Sequence, residues 1–157
     1  MSVTFSESTQ RLVGQILERY PDKQAAVIQL LHLAQDEHGK LTPEIEEYVS
    51  QLTGVPVTFV HQVATFYGMF RFSHVGRYHI KVCESVTCHL MGATTVLEYL
   101  QKKLGISVGE TTPDGKFTLS TVECLGACEM APMMQVNDDF YGPLDEKTID
   151  AILDKLR

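Results

Sequence analysis

The apolar residues of this chain change their period once, near Arg71 to Gly76, and that change limits what each half can fold into. Before it they recur every three or four positions, as one buried face of a helix requires. Leu12, Val13, Ile16, Leu17 and Tyr20 mark a first helix, which Pro21 ends, and Asp22 is placed to cap the next. Ala26, Val27, Leu30, Leu31, Leu33 and Ala34 give a broader face stopped by Gly39. Thr42-Pro43-Glu44 opens a third helix: threonine caps free N–H groups, proline is tolerated in the first turn, and an acid there opposes the positive dipole end. Ile45, Val49 and Leu52 form its stripe, and Gly54 closes it. A fourth helix is predicted over about Val57 to Phe66, burying Val57, Val60, Val63 or Ala64, and Tyr67. Residues 1–74 are therefore read as a helical bundle domain.

After the change Tyr78, Ile80 and Val82 alternate with Arg77, His79 and Lys81, the two-residue period of a half-buried strand running into Cys83. A helix is predicted from about Leu90 to Leu104, with Val96, Leu97, Leu100 and Leu104 inward and Gly105 as its stop. Pro113-Asp114-Gly115 is a turn, and Phe117 to Val122 reads as a second strand ending just before Cys124. Pro132 to Val136 is a third, Asn137-Asp138-Asp139 turns the chain, and Phe140-Tyr141 begins a fourth. Ile149, Ile152, Leu153 and Leu156 mark a closing helix. The order β-α-β, hairpin, α is a reduced thioredoxin-like layout, so the fold class is α/β, with residues 75–157 as the second domain. Parallel strands joined by a helix deliver their carboxyl ends to one edge of a sheet, where open α/β sheets place their sites.

All four cysteines follow those two strand ends as two tight pairs, Cys83 with Cys88 and Cys124 with Cys128. Spacing alone admits several tenants. A structural zinc ion takes four thiolates at gaps like these, and a [2Fe–2S] cluster takes two thiolates on each iron. Redox thiols without metal favour two intervening residues, which neither pair has. In a reducing cytoplasm two structural disulfides are the weaker use. Val86, Leu90, Met91, Leu125, Gly126, Ala127, Met130, Ala131 and Pro132 flank the thiols and would exclude water, while Gly126 lets N–H groups approach sulfur; these features suit an iron–sulfur cluster. Cys88 is placed near a helix N-terminus.

The net charge is −7, with five Lys/Arg against eight Asp/Glu in residues 1–76 and eight against twelve in residues 77–157. Neither half invites nucleic acid or an anionic membrane surface. No apolar run approaches the roughly 20 residues that span a bilayer, and the start lacks a basic segment followed by an apolar one. A cytoplasmic protein without direct membrane insertion is expected.

The motifs Cys83-Glu-Ser-Val-Thr-Cys88-His-Leu-Met-Gly-Ala93 and Glu123-Cys124-Leu-Gly-Ala-Cys128-Glu-Met-Ala-Pro132 resemble the two ligand segments of the thioredoxin-like [2Fe–2S] ferredoxin subunit of NADH:quinone oxidoreductase, the E subunit of complex I. Relatives of that family serve in NAD-linked hydrogenases and formate dehydrogenases. Further segments resemble it in order: His38 to Glu44, Ala64 to Phe70, Thr112 to Lys116 and Val136 to Tyr141. The resemblance implies that Cys83 and Cys88 bind one iron and Cys124 and Cys128 the other. It implies docking on a larger subunit that binds FMN and oxidises NADH, within a multisubunit oxidoreductase at the cytoplasmic face of the membrane. The chain has no glycine-rich dinucleotide fingerprint, so it would carry no complete active site and bind neither NADH nor FMN alone. An all-thiolate cluster of this kind would have a low potential, about −400 mV by analogy with plant-type ferredoxins.

Competing signals are weaker. His89 and His79 raise a Cys₂His₂ cluster, but the cysteines already complete the ligand count. His32 and His61 read as packing or surface residues. Val49 to Val63 suggests a helix-turn-helix, yet Pro56 to Phe66 contains no Lys or Arg for phosphate. The run Phe59, Val60, Val63, Phe66, Tyr67, Met69, Phe70 exceeds one helix stripe, and divides between bundle core and protein interface. Asp138-Asp139 and Asp145-Glu146 fall at a turn and a helix start, where acids are favoured locally. A zinc-stabilised interaction module is the competing functional class.

Overall fold

A computed structural model describes residues 3–156. The chain divides into two units, Met1–His74 and Val75–Arg157. The first is helical: α1 (Glu7–Arg19), a 3₁₀ turn over Lys23–Ala26, α2 (Val27–His38), α3 (Pro43–Thr53) and α4 (Val57–Phe66). Local signals set these ends. The Asp22 carboxylate accepts from the Gln24 N–H at 2.9 Å, but what it caps is the 3₁₀ turn. The Thr42 hydroxyl accepts from Ile45 at the start of α3, and Gly39 and Gly54 end α2 and α3 in left-handed backbone.

The helical core gathers Leu30, Leu31, Leu41, Ile45, Val49 and Val60, all essentially inaccessible. Gln35 is buried with them and holds the chain beyond α4, donating to the Met69 carbonyl and accepting from the Arg71 N–H. One expectation needs correction. Val57 and Leu12 are exposed, because each sits at the edge of its apolar stripe. The apolar and aromatic run divides as expected: Val60 and Phe70 are core, whereas Phe66 and Met69 face outward.

The second unit is built on a four-stranded sheet of β1 (Tyr78–Cys83), β2 (Phe117–Val122), β3 (Met134–Val136) and β4 (Asp139–Tyr141), in the order β2-β1-β3-β4. β1 and β2 are parallel, and β3 runs antiparallel to both β1 and β4. Between β1 and β2 lie α5 (Val86–Leu90) and α6 (Ala93–Leu104), and α7 (Glu146–Leu156) closes the chain. Ile80, Leu100, Leu119, Met134, Ile149 and Leu153 form the core beside the sheet. The helix predicted from about Leu90 to Leu104 begins only at Ala93, as α6; Met91 and Gly92, with Gly92 at φ +99°, separate it from α5, a short helix that the sequence reading does not include. β3 starts at Met134, two residues beyond Pro132, which has no N–H to give a ladder. His79, expected outward, is buried because β1 is an interior strand; its Nε2 lies 2.8 Å from Ser120 Oγ on β2.

Candidate metal centre

The register of the parallel pair determines where the cysteines go. Cys83 is the last residue of β1 and stands opposite Val122, the last of β2. The chain leaves both strands at the same edge, so the segments carrying Cys88 and Cys124–Cys128 start side by side. The Glu84 N–H donates to the Val122 carbonyl at 2.9 Å, and Cys83 Sγ donates to the Glu123 carbonyl at 3.0 Å, tying the two exits together.

A small apolar cluster surrounds two of the thiols. Cys83 and Cys88 are buried with Ala93, Ala127, Ala131 and Met133, and Leu125 and Met130 pack against them. Cys88 is the third residue of the short α5, where the Ser85 carbonyl accepts from the His89 N–H at 2.9 Å. Burial pushes the Cys88 thiol up, a hydrogen bond with Cys83 adds to this, and a hydrogen bond with the Met133 backbone works the other way. Negative charge on Cys83 or Cys128 would raise it further, which places three of the four sulfurs in one electrostatic neighbourhood. Cys124 and Cys128 are exposed. The Gly126 N–H donates to Cys124 Sγ at 3.4 Å, and Gly126 turns with φ +75° to do so.

The two pairs thus converge with unequal shielding. Cys83 and Cys88 lie on the protein side, and Cys124 and Cys128 face outward. All four are unpaired thiols. Among the described residues, no three Cys, His, Asp or Glu side chains are arranged around a single ion. A two-iron group asks only for two thiolates at each iron, so this donor set fits it: soft ligands, an apolar inner wall and backbone N–H groups aimed at sulfur.

Part of the expected water shield is not a shield. Val86, Leu90 and Met91 are 73%, 79% and 59% exposed, and form an apolar rim outside the thiol cluster. The inner wall is made by the expected Ala127 and Ala131, with Leu125 and Met130 packed against it, and by Ala93 and Met133, which the sequence reading does not place there. His89 is exposed, with its Nδ1 at 3.4 Å from Thr94 Oγ1, and His79 is held by Ser120. His61 pairs with the buried Glu46 at 2.9 Å in the helical unit. The Ala131-Pro132 bond is cis.

Gly142 is a second contributor without a sequence signal. A Cβ there would run into the Met130 carbonyl and meet the Cβ atoms of Met130 and Met133 at 3.0 Å. The segment entering α7 therefore lies directly on the second cysteine loop, and the Leu144 N–H donates to the Pro132 carbonyl at 2.9 Å beside it.

Residues 13–157 match the family described as thioredoxin-like [2Fe-2S] ferredoxin. The chain is 51% identical over 139 residues to the second E subunit of NADH-quinone oxidoreductase from Rhizobium meliloti, a match that covers 88% of this chain and 83% of that protein. It is 43% identical over 157 residues to the E subunit of NADH-quinone oxidoreductase from Rickettsia conorii, covering 98% and 94%. Among solved structures, a chain of NAD⁺-reducing [NiFe]-hydrogenase in the air-oxidized state superposes with a TM-score of 0.69 at 25% identity. That match covers 83% of this chain but only 22% of the hydrogenase chain.

Proposed function

The chain belongs to the thioredoxin-like [2Fe–2S] ferredoxin family, and from that membership we propose that it is the electron-transfer subunit of an NADH:quinone oxidoreductase, carrying one [2Fe–2S] cluster. Cys83 and Cys88 hold one iron, and Cys124 and Cys128 the other. The single observation that carries this is the convergence of two cysteine loops at the aligned ends of β1 and β2, with an apolar wall on one side and open sulfurs on the other. The two NADH-quinone oxidoreductase relatives align over most of their own length, which supports the parent complex. The cluster supplies one-electron transfer at low potential when bound. The protein supplies four thiolates, excludes water behind Cys83 and Cys88, and directs the Gly126 N–H to Cys124 Sγ.

The working partner in this reading is a larger subunit that binds FMN and oxidises NADH. No helix among the described residues is long and apolar enough to cross a membrane. The chain is then held at the cytoplasmic face of the membrane through partner subunits. The likeness to a hydrogenase chain favours a second parent, a soluble NAD-linked hydrogenase, in which the same subunit would serve. Co-purifying subunits decide between the two.

The cluster itself is tested on anaerobically purified protein. Brown colour, iron and sulfide in equal amounts, and an EPR signal after dithionite reduction are expected, and Cys128→Ser should alter or abolish that signal. A colourless protein with one zinc and no sulfide would sink this reading in favour of the zinc module.

A further inference from the structure

The two cysteine pairs differ in what lies between them and solvent. Cys83 and Cys88 are each 2% exposed, whereas Cys124 and Cys128 are exposed residues. Much of the cover over the inner pair comes from the segment that carries the outer pair. Ala127 and Ala131 belong to the buried cluster around Cys83 and Cys88, and Leu125 and Met130 pack against it. All four lie within residues 124–131. The remaining cover, Ala93 and Met133, comes from the start of α6 and from the residue before β3.

The supports of the two pairs differ as well. Cys83 ends β1, an interior strand, with its N–H on the Met133 carbonyl at 3.2 Å, and Cys88 lies within α5. From Glu123 to Ala127 the chain has no regular structure, and a 3₁₀ turn over Cys128–Met130 follows. Both ends of this stretch are anchored. The Glu84 N–H donates to the Val122 carbonyl, and the Met130 carbonyl rests against Gly142. Between the anchors Gly126 turns at φ +75°, with nothing within 4 Å of the place a Cβ would take. A short irregular segment opens at lower cost than the strand and helix behind it. Cys124 and Cys128 are therefore the first sulfurs to meet a two-iron group arriving from solvent. Cys83 and Cys88 come within reach only when the segment lifts its alanines, Leu125 and Met130 away.

Resting on the function proposed above, we infer that residues 124–131 form a lid that carries ligands: Cys124 and Cys128 capture a preformed [2Fe–2S] cluster from a thiolate-ligated donor, and the lid closes it onto Cys83 and Cys88. The reaction that supplies this chain is then thiolate exchange, with no change of oxidation state. In capture, Cys124 and Cys128 replace two donor thiolates on one iron, and their thiol protons pass to the thiolates released. In closure, Cys83 and Cys88 replace the last two donor thiolates on the other iron. Cys83 gives up its hydrogen bond to the Glu123 carbonyl, and both thiol protons leave with the donor.

The probe is a [2Fe–2S] complex of four glutathione thiolates, mixed anaerobically with the metal-free full chain and followed by stopped-flow visible circular dichroism. Cys83→Ala with Cys88→Ala should keep the wild-type second-order capture rate, and should lose its iron to excess glutathione because only one iron has been exchanged. Cys124→Ala with Cys128→Ala should slow uptake by about ten-fold or more, since the remaining thiols react only when the lid opens. Equal slowing in both variants, or the reverse pattern, would overturn the inference. The wild-type chain gives a check free of substitutions. Limiting iodoacetamide should alkylate Cys124 and Cys128 about ten-fold or more faster than Cys83 and Cys88, as read by peptide mass spectrometry. Equal rates would count against the lid. Loading from iron and sulfide but not from the probe would overturn the inference alone. A wild-type chain that takes up a [2Fe–2S] cluster from neither source would overturn the reading beneath it.

Discussion

Gly142 shows how a position with no chemistry of its own can hold a metal site in shape. Its missing side chain lets the backbone before α7 rest on the Met130 carbonyl, two residues beyond Cys128. Adding one methyl group forces the second cysteine loop or the α7 entry to move, and overpacking of this kind costs about 1–3 kcal/mol. Gly142→Ala should therefore lower the urea midpoint, and visible absorbance should disappear at lower urea than the far-UV signal, because the strain falls on the loop first. Coincident, unshifted transitions would show that the contact is not needed. This role was not legible in the sequence, where Gly142 carries no signal. Close approach across the fold leaves no local pattern. The cysteines were legible for the opposite reason: their residue type and pairing declare metal chemistry before any geometry is known. What spacing could not reveal was their inequality, since the burial of Cys83 and Cys88 and the exposure of Cys124 and Cys128 depend on Ala93, Ala127 and Met133 arriving from three segments.

At the scale of elements, α6 and α7 are joined by a polar clamp. The Tyr99 hydroxyl donates to Asp150 Oδ1 at 2.8 Å, and Lys103 Nζ lies 2.8 Å from the same oxygen. The bond to Asp150 raises the Tyr99 pKa, and Asp150 likewise raises that of Lys103. Each group is thus held in its protonated form more firmly than in the unfolded chain. The stabilisation is complete below the unfolded values, near 10 for both types, and is lost as pH rises through the folded ones. Tyr99→Phe keeps the ring and the lysine pair, so it isolates the hydroxyl. The wild type should unfold at higher urea than the variant at neutral pH, and the gap should close in the alkaline range above about pH 10. A gap that stays constant across that range would assign the difference to packing alone. Elements with strong local punctuation were legible, such as α3 with its Thr42 cap and Gly54 stop. The break between α5 and α6 was not: Leu90 and Met91 continue the apolar character expected of a helix, and Gly92 is tolerated in a helix at modest cost. Only the fold shows Gly92 left-handed, with Leu90 and Met91 turned to solvent.

Across the whole molecule, the cysteine chemistry belongs to one unit. All four thiols, the strands that deliver them and the apolar wall behind Cys83 and Cys88 lie within Val75–Arg157. That unit has its own core of Ile80, Leu100, Leu119, Met134, Ile149 and Leu153, spanning the sheet and two helices. The helical unit has a separate core centred on Leu30, Leu31, Ile45 and Val49. A domain of this size can fold alone when its core is continuous, although with less margin than a larger one. Here bound metal adds to that margin, because ligation stabilises the folded state over the unfolded chain. Residues 75–157 expressed alone should therefore fold, take up iron and sulfide, and give the EPR signal of the full chain after reduction. The change of apolar period near Arg71 to Gly76 already points to this division, since a helical bundle and a sheet bury their faces by different rules. A fragment that stays colourless and unfolded under anaerobic loading, while the full chain binds its cluster, would mean that the helical unit is required to build the site.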